Sequence, residues 1–195
     1  MGTRQSTPEA VEQAALDVFA EKGFENTTVE DVAVAGGISR RTFFRYFTSK
    51  ADIPWSGFGT LLDRLRAWLA EMPDDVAIFD AIAQATIRFN RLRADGPVVH
   101  RTRMTLVLHT PELTAHASLR WAEWRAVVTE FAARRLGEPT DALAPQLVGH
   151  VALGASLAAY ERWLLDESSD LEELIAEAFR MVAGASELSG LTALG

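Results

Sequence analysis

The chain has no cysteine among its 195 residues. Disulfides, thiolate metal sites and cysteine nucleophiles are therefore excluded. Lysine is nearly absent too: of 19 basic residues only Lys22 and Lys50 are lysine. Strand signal is missing, because Val, Ile and Thr do not alternate and alanine, leucine, arginine and glutamate dominate. No apolar run is long enough for a bilayer, which takes about 20 residues. The longest such stretch covers 151–160. The opening residues, MGTRQSTPEA, carry no apolar run of the signal-peptide kind. The expectation is a cytoplasmic protein with no membrane association.

Catalytic grammar is lacking as well. There is no GxSxG elbow, phosphate-loop sequence or GxGxxG. His109 and His116 do not have the spacing of a metalloprotease helix. Asp74 with Asp75, and Glu172 with Glu173, are adjacent pairs whose side chains point to different helix faces and cannot share a reacting atom. No enzyme activity, catalytic residue, metal site or cofactor is expected.

What is present is concentrated at residues 27–50, TTVEDVAVAGGISRRTFFRYFTSK. Thr28 suits an N-cap, with Asp31 three positions on, where a carboxylate faces the open amides of a new helix. Val29, Val32 and Ala33 give an apolar stripe at helical spacing. The pair Gly36 and Gly37 stops that helix. Ile38 follows as an apolar plug, and Ser39 is a second N-cap. Arg40, Arg41 and Thr42 fill the next first turn, where the helix dipole favours acids instead. Another demand must be met there, and a phosphate or a guanine edge supplies one. A plain solvated arginine pair is the alternative. Phe43 and Phe47 share a face with Ile38 and read as core. Arg45 and Tyr46 fall on other faces, and Tyr46 can offer its hydroxyl to a phosphate. Thr48 and Ser49 end the helix and can cap one that begins near Lys50.

Charge is distributed to match. The net charge of −8 looks wrong for a nucleic-acid binder. Yet residues 38–50 hold Arg40, Arg41, Arg45 and Lys50 and no acid, a local charge of +4. The positive charge is focused while the bulk repels DNA, which discourages indiscriminate binding.

On these residues the chain resembles the tetracycline-repressor family of bacterial transcription regulators. The matching run is ALDVFAEKGFENTTVEDVAVAGGISRRTFFRYFTSK, in the N-terminal quarter. The resemblance implies three helices, the third entering the major groove. It implies that Arg40, Arg41 and Thr42, with Ser39 and Arg45 beside them, face bases or nearby phosphates. Thr28, Tyr46 and Lys50 would grip the backbone. Phe44 stands where many relatives have tyrosine, so apolar contact replaces a hydroxyl contact there. A narrower resemblance runs further: FFRYFTSKADIPW and LRWAEWRAVVTEFAARRLGEP are similar to regulators associated with mycofactocin biosynthesis.

The rest of the chain reads as helices over about 8–22, 61–72, 75–94, 98–109, 111–136, 141–166 and 170–183, with Pro54, Gly57 and Gly59 interrupting what starts at Lys50 and a frayed tail from Gly184. Val148, Gly149, Val151, Ala152, Gly154, Ala155, Ala158 and Ala159 make the penultimate helix small and apolar. Leu171, Leu174, Ile175, Ala178, Phe179 and Val182 stripe the last. Packed on symmetry mates the two would form a four-helix bundle; packed within the chain they would be ordinary core.

The middle region holds the ligand candidates. Trp68, Trp121, Trp124 and Trp163 are many indoles for one small domain, and Arg101, Arg103, His100, His109, Arg120 and Arg125 lie near them in sequence. An apolar pocket with a few convergent cations suits an amphipathic anion. Trp68, Arg103, Trp121, Trp124 and Arg125 are the selected set. Aromatics at helical spacing also serve as core, and arginines as solvated faces, so both readings stay open.

The expectation is an all-α protein: a three-helix helix-turn-helix DNA-binding domain at 1–50, then a helical ligand-binding and dimerisation domain at 51–195. The function expected from the resemblance is a homodimeric transcriptional repressor. It binds double-stranded DNA at a pseudo-palindromic operator and leaves it on binding an effector such as a fatty acyl-CoA. The rival reading is an architectural DNA-binding protein of the same fold with no effector.

Overall fold

Three side-chain caps set the first helices. In the computed structural model, which describes residues 7–91 and 96–191 and side chains as far as 184, Thr7 caps α1 (Pro8–Lys22) by accepting from the Ala10 amide at 3.3 Å. Thr28 caps α2 (Val29–Ala35) through a reciprocal box with Asp31. Ser39 caps α3 (Arg40–Tyr46) by accepting from the Thr42 amide at 3.1 Å. Each such cap stabilises its helix by about 1 kcal/mol. A short 3₁₀ turn (Lys50–Trp55) follows. Pro54 lies inside it, and Ser49 with Asp52 forms its box.

Six more helices complete the described chain: α4 (Phe58–Glu71), α5 (Ile78–Arg91), α6 (Gly96–His109), α7 (Pro111–Leu136), α8 (Leu143–Leu165) and α9 (Leu171–Leu191). Every regular element among the described residues is helical. The boundaries expected for α1, α2, α3 and α7 match those observed. The pattern fails in two places. What starts at Lys50 is a 3₁₀ turn, because Pro54 cannot donate to an α-helical ladder. The last helix does not fray at Gly184 but continues to Leu191. No described helix is long and apolar enough to cross a membrane.

By packing, the chain divides into two units. Unit 1 takes residues 1–58 and 94–119, and unit 2 takes 59–93 and 120–195. This is a different division from a cut in chain order at 50/51, because α6 and the start of α7 pack with α1 and the 3₁₀ turn. The core of unit 1 contains Val11, Leu16, Phe19, Phe43, Phe47, Ile53 and Leu113, with Val99 and Leu106 of α6 against it.

The two glycines between α2 and α3 have separate reasons. Gly37 has φ +63°, the left-handed region where a side chain is strained. Gly36 has an ordinary φ of −78°. A Cβ on it would lie 3.1 Å from Val11 Cγ1, so its need is close approach to α1. Both make the tight turn that sets α3 against α1.

Unit 1 also buries charge. Arg103 Nε of α6 donates to Glu12 Oε1 of α1 at 2.8 Å, with side chains only 2% and 6% exposed. His100 Nδ1 lies 3.3 Å from an Arg103 nitrogen. An arginine only donates, so that histidine nitrogen is the acceptor. Breaking such a pair leaves a buried charge unmatched, at a cost of about 3–5 kcal/mol.

Unit 2 is centred on apolar faces of α4, α5, α7, α8 and α9, with Leu65, Ile82, Val128, Phe131, Ile175 and Phe179 fully or nearly buried. Arg135 closes one end, donating to the carbonyls of Pro73, Asp74 and Val76 at 3.2, 2.7 and 2.5 Å. The loop after α4 is thereby satisfied without a helix cap.

Candidate nucleic-acid interface

The surface that α2 and α3 leave outside their own core is the candidate site. Phe43 is fully buried and Phe47 nearly so, while α3 turns Arg40, Arg41, Phe44 and Arg45 outward. The helical period puts Arg41 and Arg45 on the side opposite Phe43, while Arg40 and Phe44 flank the inner face and reach solvent at its edge.

The four cations of residues 38–50 differ in what they touch. Arg40 pairs with Glu30 of α2, and its guanidinium carbon lies 5.3 Å from the Phe44 ring centroid. Arg45 lies over the Tyr46 ring at 5.0 Å and donates to its hydroxyl at 3.2 Å. Lys50 turns inward. Its ammonium donates to the carbonyls of Phe24, Thr27 and Glu25 at 2.6, 3.1 and 3.5 Å and sits 4.2 Å from the Phe24 ring centroid. Arg41 alone of the four is exposed without an intrachain ion pair, hydrogen bond or ring contact among the described residues.

The polar residues of the set are mostly occupied as caps. The Thr28 hydroxyl donates to Asp31 Oδ2 at 2.8 Å and accepts from the Asp31 amide at 3.1 Å. The Ser39 and Thr42 oxygens are 3.0 Å apart. Thr28 and Ser39 are both exposed, so a phosphate oxygen can reach either. Phe44 is 48% exposed, a large apolar group on a polar face. Asp31 is held well below the ordinary carboxylate value by the Lys22 ammonium at 2.8 Å, then by the amide and hydroxyl of Thr28. That ion pair ties the C-terminus of α1 to the start of α2.

The residues expected to bind a ligand fall in both units. Arg103 belongs to unit 1 and is spent on Glu12. Trp68, Trp121, Trp124 and Arg125 belong to unit 2. Trp124 is 6% exposed and forms core. Trp68, Trp121 and Arg125 are half-buried. A groove of about 260 Å³ in unit 2 is lined by Arg125, Thr129, Glu130, Thr140 and Gln146 among alanines. The aliphatic stem of Arg125 packs closely on α8: a Cβ on Gly149 would lie 3.0 Å from its Cγ.

Two acids have partners that local pattern does not show. Glu30 reaches Arg40 ten residues on. Glu12 is buried beside Val11, Ala15 and Phe19 of α1, where it meets Arg103. Within unit 2, α8 carries an exposed face of its own. Leu143, Leu147 and Leu165 are 82%, 57% and 81% exposed. Gly154 and Ala158 are exposed between them, while Gly149, Ala152 and Ala159 turn inward. On α9, Leu171, Ile175 and Phe179 are buried within the chain, with Phe179 against Phe79 of α5 at 6.4 Å between ring centroids.

Comparison with known proteins agrees with this geometry. Residues 13–53 match the family described as bacterial regulatory proteins, tetR family. Residues 76–186 match the MftR C-terminal domain. A protein of Mycobacterium tuberculosis provisionally named mycofactocin biosynthesis transcriptional regulator MftR is 41% identical over 187 residues, 95% of this chain and 94% of that protein. The transcriptional regulator TcmR of Streptomyces glaucescens is 29% identical over 82% of this chain and 74% of its own. The crystal structure of FadR from Bacillus subtilis in complex with stearoyl-CoA has the same fold, with a TM-score of 0.66 at 20% identity over 90% of this chain and 97% of that one.

Proposed function

The chain belongs to the TetR family of bacterial regulatory proteins and is a DNA-binding transcriptional regulator; on that premise we propose that it is a homodimeric repressor released from its operator by an amphipathic anion. The observation that carries the DNA-reading half is the outer face of α3, where Arg41 projects with no intrachain partner among the described residues. Arginine at a helix start opposes the dipole, and a duplex supplies the missing negative charge. Arg40, Arg41 and Thr42 would meet base edges or adjoining phosphates. Thr28, Ser39, Arg45 and Tyr46 would meet the backbone, and Phe44 would give apolar contact. Lys50 would act by fixing the loop between α1 and α2, since its donors already face three carbonyls.

Dimerisation is supported by α8. Three exposed leucines, with Gly154 and Ala158 between them, make a largely apolar face shared with exposed His150 and Glu161 that a second copy would cover, the small residues allowing close approach. Two α3 helices would then enter successive major grooves about one DNA turn apart. The protein would act in the cytoplasm, where the chromosome lies.

The effector would bind in unit 2, with Arg125 near an acidic headgroup and Trp68, Trp121 and Trp124 near an apolar tail. The groove beside Arg125 holds about 260 Å³. An acyl chain with a CoA headgroup needs more, so loading would require unit 2 to open. The ligand shifts the protein off DNA only by binding the non-docking state better. The similarity to MftR proposes promoters of mycofactocin biosynthesis genes as targets.

The test is release. Purified protein on a fluorescent duplex from upstream of such genes is titrated with stearoyl-CoA and, as control, with free CoA. Loss of anisotropy with the acyl ester alone, together with a raised Tm, supports the effector reading. Tight DNA binding that no acyl ester changes would leave a DNA-binding protein without this class of effector.

A further inference from the structure

We propose that Glu30 is a specificity-determining residue of the DNA face: with the Phe44 ring it neutralises and aims Arg40, so that this arginine contributes sequence discrimination rather than general attraction to phosphates. The inference rests on the reading of α3 as the DNA-docking helix. It comes from a contrast between neighbours in one helix turn. Arg41 is exposed with no intrachain contact among the described residues, whereas Arg40 is held from two sides. Glu30 of α2 takes a guanidinium nitrogen, and the Phe44 ring lies 5.3 Å from the guanidinium carbon. Phe44 is itself set edge-on against the fully buried Phe43, at 5.2 Å and 87°. The brace on Arg40 therefore runs to the core of unit 1.

The arrangement has an electrostatic consequence. The Arg40 and Glu30 side chains are 62% and 57% exposed, so solvent weakens their attraction and the pair adds little to stability. Its effect falls on whatever docks there. A duplex within a Debye length of about 8 Å meets a neutral pair at Arg40 and a free charge at Arg41. On unrelated DNA, Arg41 and Arg45 attract phosphates, and the Glu30 carboxylate offsets part of that attraction. On a matching sequence, Arg40 has guanidinium donors left over from Glu30, and its two contacts narrow the directions those donors can take. A narrowed fork suits the paired acceptors O6 and N7 of guanine and gains little from a single phosphate oxygen. The Phe44 ring offers the cation a face and carries no hydroxyl of its own to contact phosphate.

The test compares three variants with the wild type: Glu30→Gln, Phe44→Leu and, for the same charge change at an exposed position of unit 2, Glu138→Gln. Each full-length protein is titrated by anisotropy onto two duplexes, one selected from random sequence by the wild type and one unrelated, over a series of salt concentrations. Glu30→Gln is expected to raise affinity for the unrelated duplex on the order of threefold to tenfold and to steepen its salt dependence by about 0.9 in log–log slope. Affinity for the selected duplex should rise less, so the ratio of the two falls. Phe44→Leu should lower affinity for the selected duplex with little change on the unrelated one. Glu138→Gln should leave both unchanged. Equal gains on both duplexes, or no gain on either, would overturn the proposal. A wild type that selects no sequence would instead overturn the DNA-reading assignment itself, and that outcome shows before any variant is made.

Discussion

Helices α3 and α8 bury their inner faces in the same manner and leave opposite chemistries outside. The seven residues of α3 expose arginine on a core of Phe43 and Phe47. The 23 residues of α8 expose Leu143, Leu147 and Leu165 over a core of Ala152, Ala159 and Trp163. Neither outer face suits an isolated chain. Arginines at a helix start oppose the dipole, and exposed leucines keep apolar surface in water at roughly 25 cal/mol per Å². An inner face is dictated by the chain's own core. An outer face that is unfavourable alone points to a partner, polyanionic in one case and apolar in the other.

The comparison can be broken in four ways, in falling order of effect. The largest inverts the rule by leaving a charge inside. Arg103→Ala strands the Glu12 carboxylate in unit 1, and stability should fall by about 3–5 kcal/mol in urea denaturation. Charging the apolar face comes next. Leu147→Glu, which is 57% exposed in the monomer, should leave the fold intact by circular dichroism. It should weaken self-association by about 100-fold in sedimentation, the size of a central interface residue. Removing charge from the basic face follows. Arg41→Ala should cost about 1–3 kcal/mol of affinity for a selected duplex while sedimentation and Tm stay unchanged. If Arg41→Ala disturbed association, or Leu147→Glu spared it, the two faces would not be specialised as described.

The smallest effect concerns the frame of α2. The Asp31 carboxyl is depressed from an ordinary 3.8 by the Lys22 ammonium and the Thr28 groups. A depressed carboxyl stabilises the fold above its unfolded value, and that contribution is lost as pH falls through the folded value. The stability difference between wild type and Asp31→Asn should therefore be constant from neutral pH to about pH 4 and shrink below it. A difference that grew with acid would contradict the assignment.

Much of the frame was legible because its signals are local. Thr28 with Asp31, Ser39 with Thr42, and Ser49 with Asp52 are all three residues apart, so the caps could be read directly. Pro111 and Gly137 bound α7 in sequence as in space. What escaped depends on tertiary placement. Glu12 and Arg103 are 91 positions apart, and Lys50 reaches Phe24 across 26. Arg103 therefore looked available to a ligand and Lys50 to a phosphate, while each is engaged inside unit 1. In sequence the small residues of α8 and the apolar stripe of α9 stand out, and Leu143, Leu147 and Leu165 are not among them. The structure turns Ala152, Ala159, Leu171, Ile175 and Phe179 inward and leaves those three leucines exposed. Periodicity shows that a stripe exists but not whether its own chain covers it.

The central claim is that α3 presents a face built for a duplex and that two copies present it together. The most direct measurement is anisotropy of the wild type on a duplex it selects from random sequence, on one half-site of that duplex, and on unrelated DNA, at two salt concentrations. The account predicts a pseudo-palindromic selected site with half-sites about one DNA turn apart, salt-dependent binding that resists unrelated competitor, and much weaker binding to a half-site. Equal binding to all three duplexes, or no selected site, would contradict it.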